Sequence, residues 1–161
     1  MTKFARKIAM ALFVGALMTA PAFATGAADV TAPIRQFIDA FNRGDTKTAF
    51  ATYAPGDIQI IDEFAPHRWF GPHAPQDWAA AYDKNAQATG VTDGRVTYGT
   101  PTRIEIEGNV AYVVMPTAYL YKEHGVAMAE EGQVTAVLHH EASGWKMNAW
   151  TWTGVKPHKA K

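Results

Sequence analysis

The chain of 161 residues has no cysteine. That excludes disulfide stapling, thiolate catalysis and sulfur-ligated metals, and leaves stability to an apolar core. Five Trp, six Tyr and eight Phe can supply that core. Basic residues are nowhere clustered except at the end, Lys156-Pro157-His158-Lys159-Ala160-Lys161. A nucleic-acid surface or an electrostatic membrane dock therefore lacks a footprint. There is also no internal repeat, no linker and no alternation of strands with helices. Hydrophobic runs are scarce too, and the longest, from Ile8 to Leu17, is too short to span a bilayer and is followed by Pro21.

That run has another reading. Lys3, Arg6 and Lys7 precede it and Ala22-Phe23-Ala24 follows, the order of a secretory signal with a small-x-small cleavage site. Residues 1–24 are expected to be removed, so that the mature chain begins at Thr25 in the periplasm or outside the cell. No later segment is apolar enough to span a membrane. Without the leader, twelve Lys and Arg face fifteen Asp and Glu, a net charge of −3. Residues 25–161 suit one domain.

Within that domain, helix signals come first and strand signals second. Val30, Ile34, Phe37, Ile38 and Phe41 recur at helical spacing, predicting a helix over 31–43 that Gly44 ends. Asp45 caps a short second helix facing inward with Ala49, Phe50 and Tyr53, and Pro55-Gly56 stops it. A strand over 57–64 alternates Ile58, Ile60, Asp62 and Phe64 against Gln59, Ile61 and Glu63. A Pro/Gly-rich loop over 65–74 carries His67, Arg68, Trp69, Phe70 and His73. A third helix runs from Pro75 to Gly90 with Trp78, Tyr82, Asn85 and Thr89 along one stripe. Further strands are expected at 95–107, 110–122, 126–141 and 145–153, with hairpin turns at Glu107-Gly108-Asn109 and Ala142-Ser143-Gly144. Pro101 and Pro116 each remove a ladder donor and should bend their strands. The tail 154–161 reads as solvated and flexible. This order predicts an α+β fold, three N-terminal helices packed on a strongly curved antiparallel sheet, cone-shaped and able to enclose a ligand.

Asp62 is the first candidate for chemistry. It shares a strand face with Ile58, Ile60 and Phe64, so its carboxyl should be partly desolvated, its pKa raised, and its proton affinity suited to general-base work. Tyr82, Tyr98, His67, His73 and His140 are the possible proton donors. His140 follows Val134, Ala136 and Leu138 in parity, which turns it inward as a partner for Asp62. A metal site is not expected: Asp62, His67 and His73 lie in one stretch, but no His-x-x-x-His or Glu-x-x-His spacing fixes them on a rigid element. The 67–69 segment reads instead as a lid.

The succession of helix, Asn42-Arg43-Gly44-Asp45, short helix, Ile60-Ile61-Asp62, third helix and Gly144-Trp145-Lys146-Met147 resembles the nuclear-transport-factor-2-like superfamily. That group includes SnoaL-like cyclases, ketosteroid isomerases and scytalone dehydratases. The resemblance covers Val30 to Thr153 and implies a cavity for a small apolar molecule, with no cofactor. It implies a general base at Asp62. The isomerases' oxyanion-hole donors fall on Phe37 and Ala136, which cannot donate a hydrogen bond, so steroid isomerisation is not expected. On the last strand Met147, Ala149 and Thr151 resemble the inward residues of the isomerases. With Phe37, Ile60, Phe64, Trp69, Trp78, Tyr82 and Ala136 they complete the expected cavity lining. Trp150 and Trp152 would then lie on the outer sheet face beside Tyr119 and Tyr121, as the interface of a homodimer. The resemblance leaves two functions open: an isomerase, dehydratase or cyclase with Asp62 as base, or a non-catalytic binding or dimerising accessory protein.

Overall fold

The computed structural model describes residues 27–161, so the expected leader and its cleavage site lie outside the described residues. Three helices and eight strands follow in the order α1 (Ala27–Asn42), α2 (Thr46–Phe50), β1 (Ile58–Ile61), β2 (Arg68–Gly71), α3 (Ala74–Thr89), β3 (Val91–Tyr98), β4 (Arg103–Glu107), β5 (Val110–Glu123), β6 (Val126–Glu141), β7 (Gly144–Gly154) and β8 (His158–Lys159). The class is α+β, as the order of elements predicts.

Local chemistry sets the helix boundaries. α1 begins four residues earlier than its apolar spacing suggests, so Pro33 lies inside it and forfeits one backbone bond. Gly44 takes the left-handed conformation after α1 (φ 67°), and Asp45 caps α2 by accepting from the Thr48 amide at 3.0 Å. α3 carries Pro75 in its first turn and ends on Gly90 in the left-handed conformation. Asn42 ties α1 to the sheet edge: its amide donates to the Val96 carbonyl at 2.7 Å and accepts from the Val96 N–H at 2.8 Å.

The sheet runs β2-β1-β7-β6-β5-β3, with β4 also on β5 and β8 also on β6. It departs from the expected antiparallel sheet in one place: β1 pairs parallel with β7, Ile60 opposite Trp150. Two other expectations change. The 95–107 strand is two, because Gly99 to Pro101 leave the ladder between β3 and β4. The 65–74 loop contains β2, paired antiparallel with β1, so it is the second arm of a hairpin and not a free lid. Val30, Ile34 and Ile38 of α1 pack in one buried cluster with Val113, Met115, Ala136, Leu138, Met147 and Trp150 of the sheet.

The last strand holds the decisive irregularity. Leu138 pairs with Met147 but Val137 pairs with Ala149, so Asn148 is an extra residue, a β-bulge. One extra residue reverses the facing of everything beyond it, because side chains alternate with period two. Met147 therefore faces the core before the bulge, and Trp150 and Trp152 face it afterwards. The bulge is fixed from outside: Tyr53 forms a bridge to Met147, and the Asn148 side-chain amide donates to the Asp57 carbonyl at 3.2 Å.

Candidate functional site

Between α1, α3 and the sheet lies a cavity of about 250 Å³. Phe37 and Phe41 of α1, Trp78 and Tyr82 of α3, and Trp150 and Trp152 of β7 contribute its rings. These form a continuous aromatic lining. Trp78 stacks on Tyr82 at 5.9 Å and meets Trp150 edge-on at 5.3 Å, while Phe64 lies 5.2 Å from Trp69. Such offset and edge-on pairs add about 0.5–1.5 kcal/mol each beyond area burial.

Glycines make room for this lining. A Cβ on Gly132 would stand 2.7 Å from the Trp152 ring, and one on Gly154 would collide with the same ring. At Gly94 a Cβ would lie 2.7 Å from the Tyr119 hydroxyl and 2.8 Å from that of Tyr82. Those two hydroxyls hydrogen-bond at 2.7 Å, joining α3 to β5.

The polar end of the cavity is acidic. Asp62 stands one residue beyond β1, its parity carried past the strand end, and half-buried. Trp78 Nε1 donates to its Oδ2 at 2.8 Å and the Glu63 amide to its Oδ1 at 2.8 Å. Burial pushes its pKa above the ordinary carboxylate value and the nearby Glu130 adds to this, while the two hydrogen bonds and His67 oppose it. Glu130 of β6 is buried, 2 % exposed, and accepts from the Tyr121 hydroxyl at 2.7 Å. Glu63 turns its carboxyl toward the same end. Desolvation, then the neighbouring Glu130 carboxyl and the charge of Asp62, push its pKa up to about 8. Glu63 is thereby biased toward its protonated form at neutral pH. Among the described residues no Lys, Arg or His lines the cavity.

Of the expected site residues, Asp62, Phe37, Phe64, Trp78 and Tyr82 line the cavity. Ile60 and Ala136 are fully buried beneath it, and Trp69 lies behind Phe64. Met147 is buried beside Tyr53, away from the cavity. Ala149 and Thr151 are on the opposite sheet face, because the Asn148 bulge reverses the parity that assigned them inward. The same reversal corrects the outer-face assignment of Trp150 and Trp152. Tyr119 and Tyr121 change sides with them: Tyr119 is opposite Glu130 in the ladder, and both rings line the cavity. A homodimer interface cannot be built from these four.

His140 does not meet Asp62. It lies ten residues along β6 from Glu130, roughly 30 Å at the rise of a strand, exposed and packed against the Trp145 ring at 5.0 Å. His67 and His73 are exposed, and Tyr98 sits at the surface against Asp39. Among the described residues no three His, Asp or Glu side chains converge closely enough to hold a metal ion. No described helix is long and apolar enough to cross a membrane. The tail is not free either: β8 pairs with β6, His158 Nε2 meets Glu131 at 2.7 Å, and Pro157 lines the cavity.

Sequence reasoning missed Glu63, Glu130 and Tyr121. Glu130 carried a legible signal, since it shares parity with Val134, Ala136 and Leu138, an acid on an apolar strand face.

Comparison with known proteins bears on the fold. A ketosteroid isomerase-like protein from Erwinia carotovora atroseptica superposes with a TM-score of 0.64 at 20% identity, covering 84% of this chain and 100% of its own. A type 2 hexachlorocyclohexane dehydrochlorinase, LinA, gives 0.69 at 10% identity over 83% and 88%. Kfla4162 from Kribbella flavida gives 0.65 at 11% over 81% and 91%. At these identities the likeness establishes a shared nuclear-transport-factor-2-like fold. No curated protein matches the sequence. The SnoaL-like domain model matches residues 30–151, and the chain belongs to that family.

Proposed function

We propose that the chain is an exported protein that binds a small, largely apolar molecule in a cone formed by helices and sheet, and that Asp62 acts on it as a general base. The reaction class is cofactor-independent isomerisation, dehydration or cyclisation. Asp62 removes a proton from an acidic C–H and returns it to a second carbon or to a leaving oxygen. The observation that carries this reading is Asp62 itself: a carboxyl in an aromatic cavity, its pKa raised by burial, its orientation fixed by the Trp78 indole. Those two hydrogen bonds leave lone pairs on both oxygens free to take a proton.

A non-catalytic binding protein is the second reading. It is favoured by Phe37 and Ala136, which stand where an isomerase would present donors to an oxyanion. A homodimer belongs to either reading, resting now on Ile61 and Phe70, which are exposed on the outer face of the β1–β2 hairpin.

Native mass spectrometry of protein recovered from the periplasm tests these points together. The expected mass is that of a chain starting at Thr25, with a small molecule retained and two copies associated. Asp62→Asn should keep the molecule bound but abolish its exchange of C–H hydrogen for deuterium in heavy water. Unchanged exchange in the variant would remove Asp62 from catalysis. An absence of exchange in the unmodified protein would leave the binding protein as the answer.

A further inference from the structure

We infer that the ligand is an organic cation, an ammonium ion with an apolar body, its charge seated between Glu63 and Glu130 and its body among the rings. This rests on the preceding reading of the cavity as a small-molecule site and adds the sign of the ligand's charge. Among the described residues the lining holds four acids, Asp62, Glu63, Glu123 and Glu130, and no basic side chain. Low-dielectric walls concentrate such a one-signed field and draw in the opposite charge.

A second observation points the same way. Glu130 is 2 % exposed, one oxygen takes the Tyr121 hydroxyl, and Oε2 is buried with no hydrogen-bond donor among the described residues. A buried carboxylate oxygen in that state is destabilising until a donor or cation reaches it. What stands beside it is another acid, Glu63. In the empty cavity a proton on Glu63 relieves the repulsion between the two acids; in the occupied cavity the ligand's positive charge takes the proton's place. The rings supply the rest of the recognition, because Trp and Tyr faces carry negative charge density that attracts cations. The acids do not converge as metal ligands would, which suits a bulky cation.

Binding should then expel the proton. The groups coupled to Glu63 are Asp62 in the β1–β2 turn, Glu130 on β6 and Tyr121 on β5; His67 acts on Asp62, and Glu123 acts on Tyr121. His67, the one base among them, is exposed at the turn and outside the lining. Cation affinity should fall as pH drops below the Glu63 pKa of about 8, roughly tenfold per pH unit for one released proton.

The test measures binding of phenyltrimethylammonium, its neutral isostere tert-butylbenzene and benzenesulfonate to the mature protein, by calorimetry and by quenching of tryptophan emission. The ammonium should bind at least tenfold more tightly than tert-butylbenzene, and the sulfonate should not bind. Glu63→Gln, at the exposed rim, should lower ammonium affinity about tenfold and leave tert-butylbenzene unchanged; Glu130→Gln should do the same if its circular dichroism is native. Equal binding of cation and neutral isostere, or cation binding that ignores pH, overturns this inference and leaves the small-molecule reading standing. If none of the three binds, both fall.

Discussion

Asp62 shows how far one side chain could be followed from sequence. Its inward placement was legible because Ile58, Ile60 and Phe64 bracket it on one parity, and that parity survives beyond the end of the strand. Its tie to Trp78 was not legible, since that contact depends on where α3 lands. The raised pKa has a consequence for stability, and its sign is fixed. A carboxyl whose folded pKa lies above its unfolded value destabilises the fold wherever it is ionised, so the penalty is complete above the folded pKa and vanishes as pH falls toward 3.8. Asp62→Asn removes the charge and keeps its one oxygen for the indole N–H, giving up the exposed bond from the Glu63 amide, which water replaces. It should therefore raise the melting temperature at pH 7, with the gain shrinking to nothing near pH 3.5, as measured by thermal unfolding across that range. Stability gained by deleting a functional group is the usual mark of a site that trades stability for chemistry. A variant less stable than the parent at pH 7 would refute the assigned burial.

Among the elements, helices were the most legible. Asp45, Pro75, Gly44 and Gly90 are local punctuation, and each acts where the sequence places it. Strands were legible in extent but not in partnership: β6 runs over 126–141 as predicted, whereas the parallel pairing of β1 with β7 leaves no periodic trace in either segment. The tail misled for a related reason, because a short basic sequence reads the same whether it is solvated or paired. In the fold it is held by β8, by the Val155 amide on the Glu131 carbonyl at 3.0 Å, and by the His158–Glu131 contact. Each partner raises or lowers the other: Glu131 lifts the His158 pKa above 6.5 and His158 lowers that of Glu131 below 4.5. The His158 contribution is complete below 6.5 and is lost as pH rises through its folded pKa. The Glu131 contribution is complete above 4.5 and is lost as pH falls through its own. The clasp should thus be tightest between about pH 4.5 and 6.5, where hydrogen exchange of the Ala160 and Val155 amides should be slowest relative to its intrinsic rate. Protection that stays flat through this window, or a His158→Gln variant with unchanged protection, would show the ion pair to be incidental. Because Pro157 lines the cavity, loosening the clasp should also open that wall.

For the whole molecule, the order of elements sufficed for the α+β class and the family, while the cavity's composition turned on one residue of chain length. The apolar alternation of β7 supports two facings equally well. Only the pairing of Met147 with Tyr53 on one side and of Trp150 with Ala136 on the other selects between them. Deleting Asn148 should force a choice between those contacts, with a loss on the order of 4 kcal/mol or failure to fold, and with tryptophan emission shifted to the red as indoles reach water. Asn148→Ala keeps the length and should lose only about 1 kcal/mol with its hydrogen bond to Asp57. A deletion variant with native emission would mean that the strand can realign without its extra residue. The bulge also bears on how relatives are compared. In any relative without the extra residue, an ungapped alignment across Asn148 would pair this protein's cavity-lining indoles with positions of the opposite facing. Inferred ancestry at Trp150 and Trp152 would then describe the wrong side of the sheet. Descent along this strand has to be traced through insertions and deletions before it is traced through substitutions.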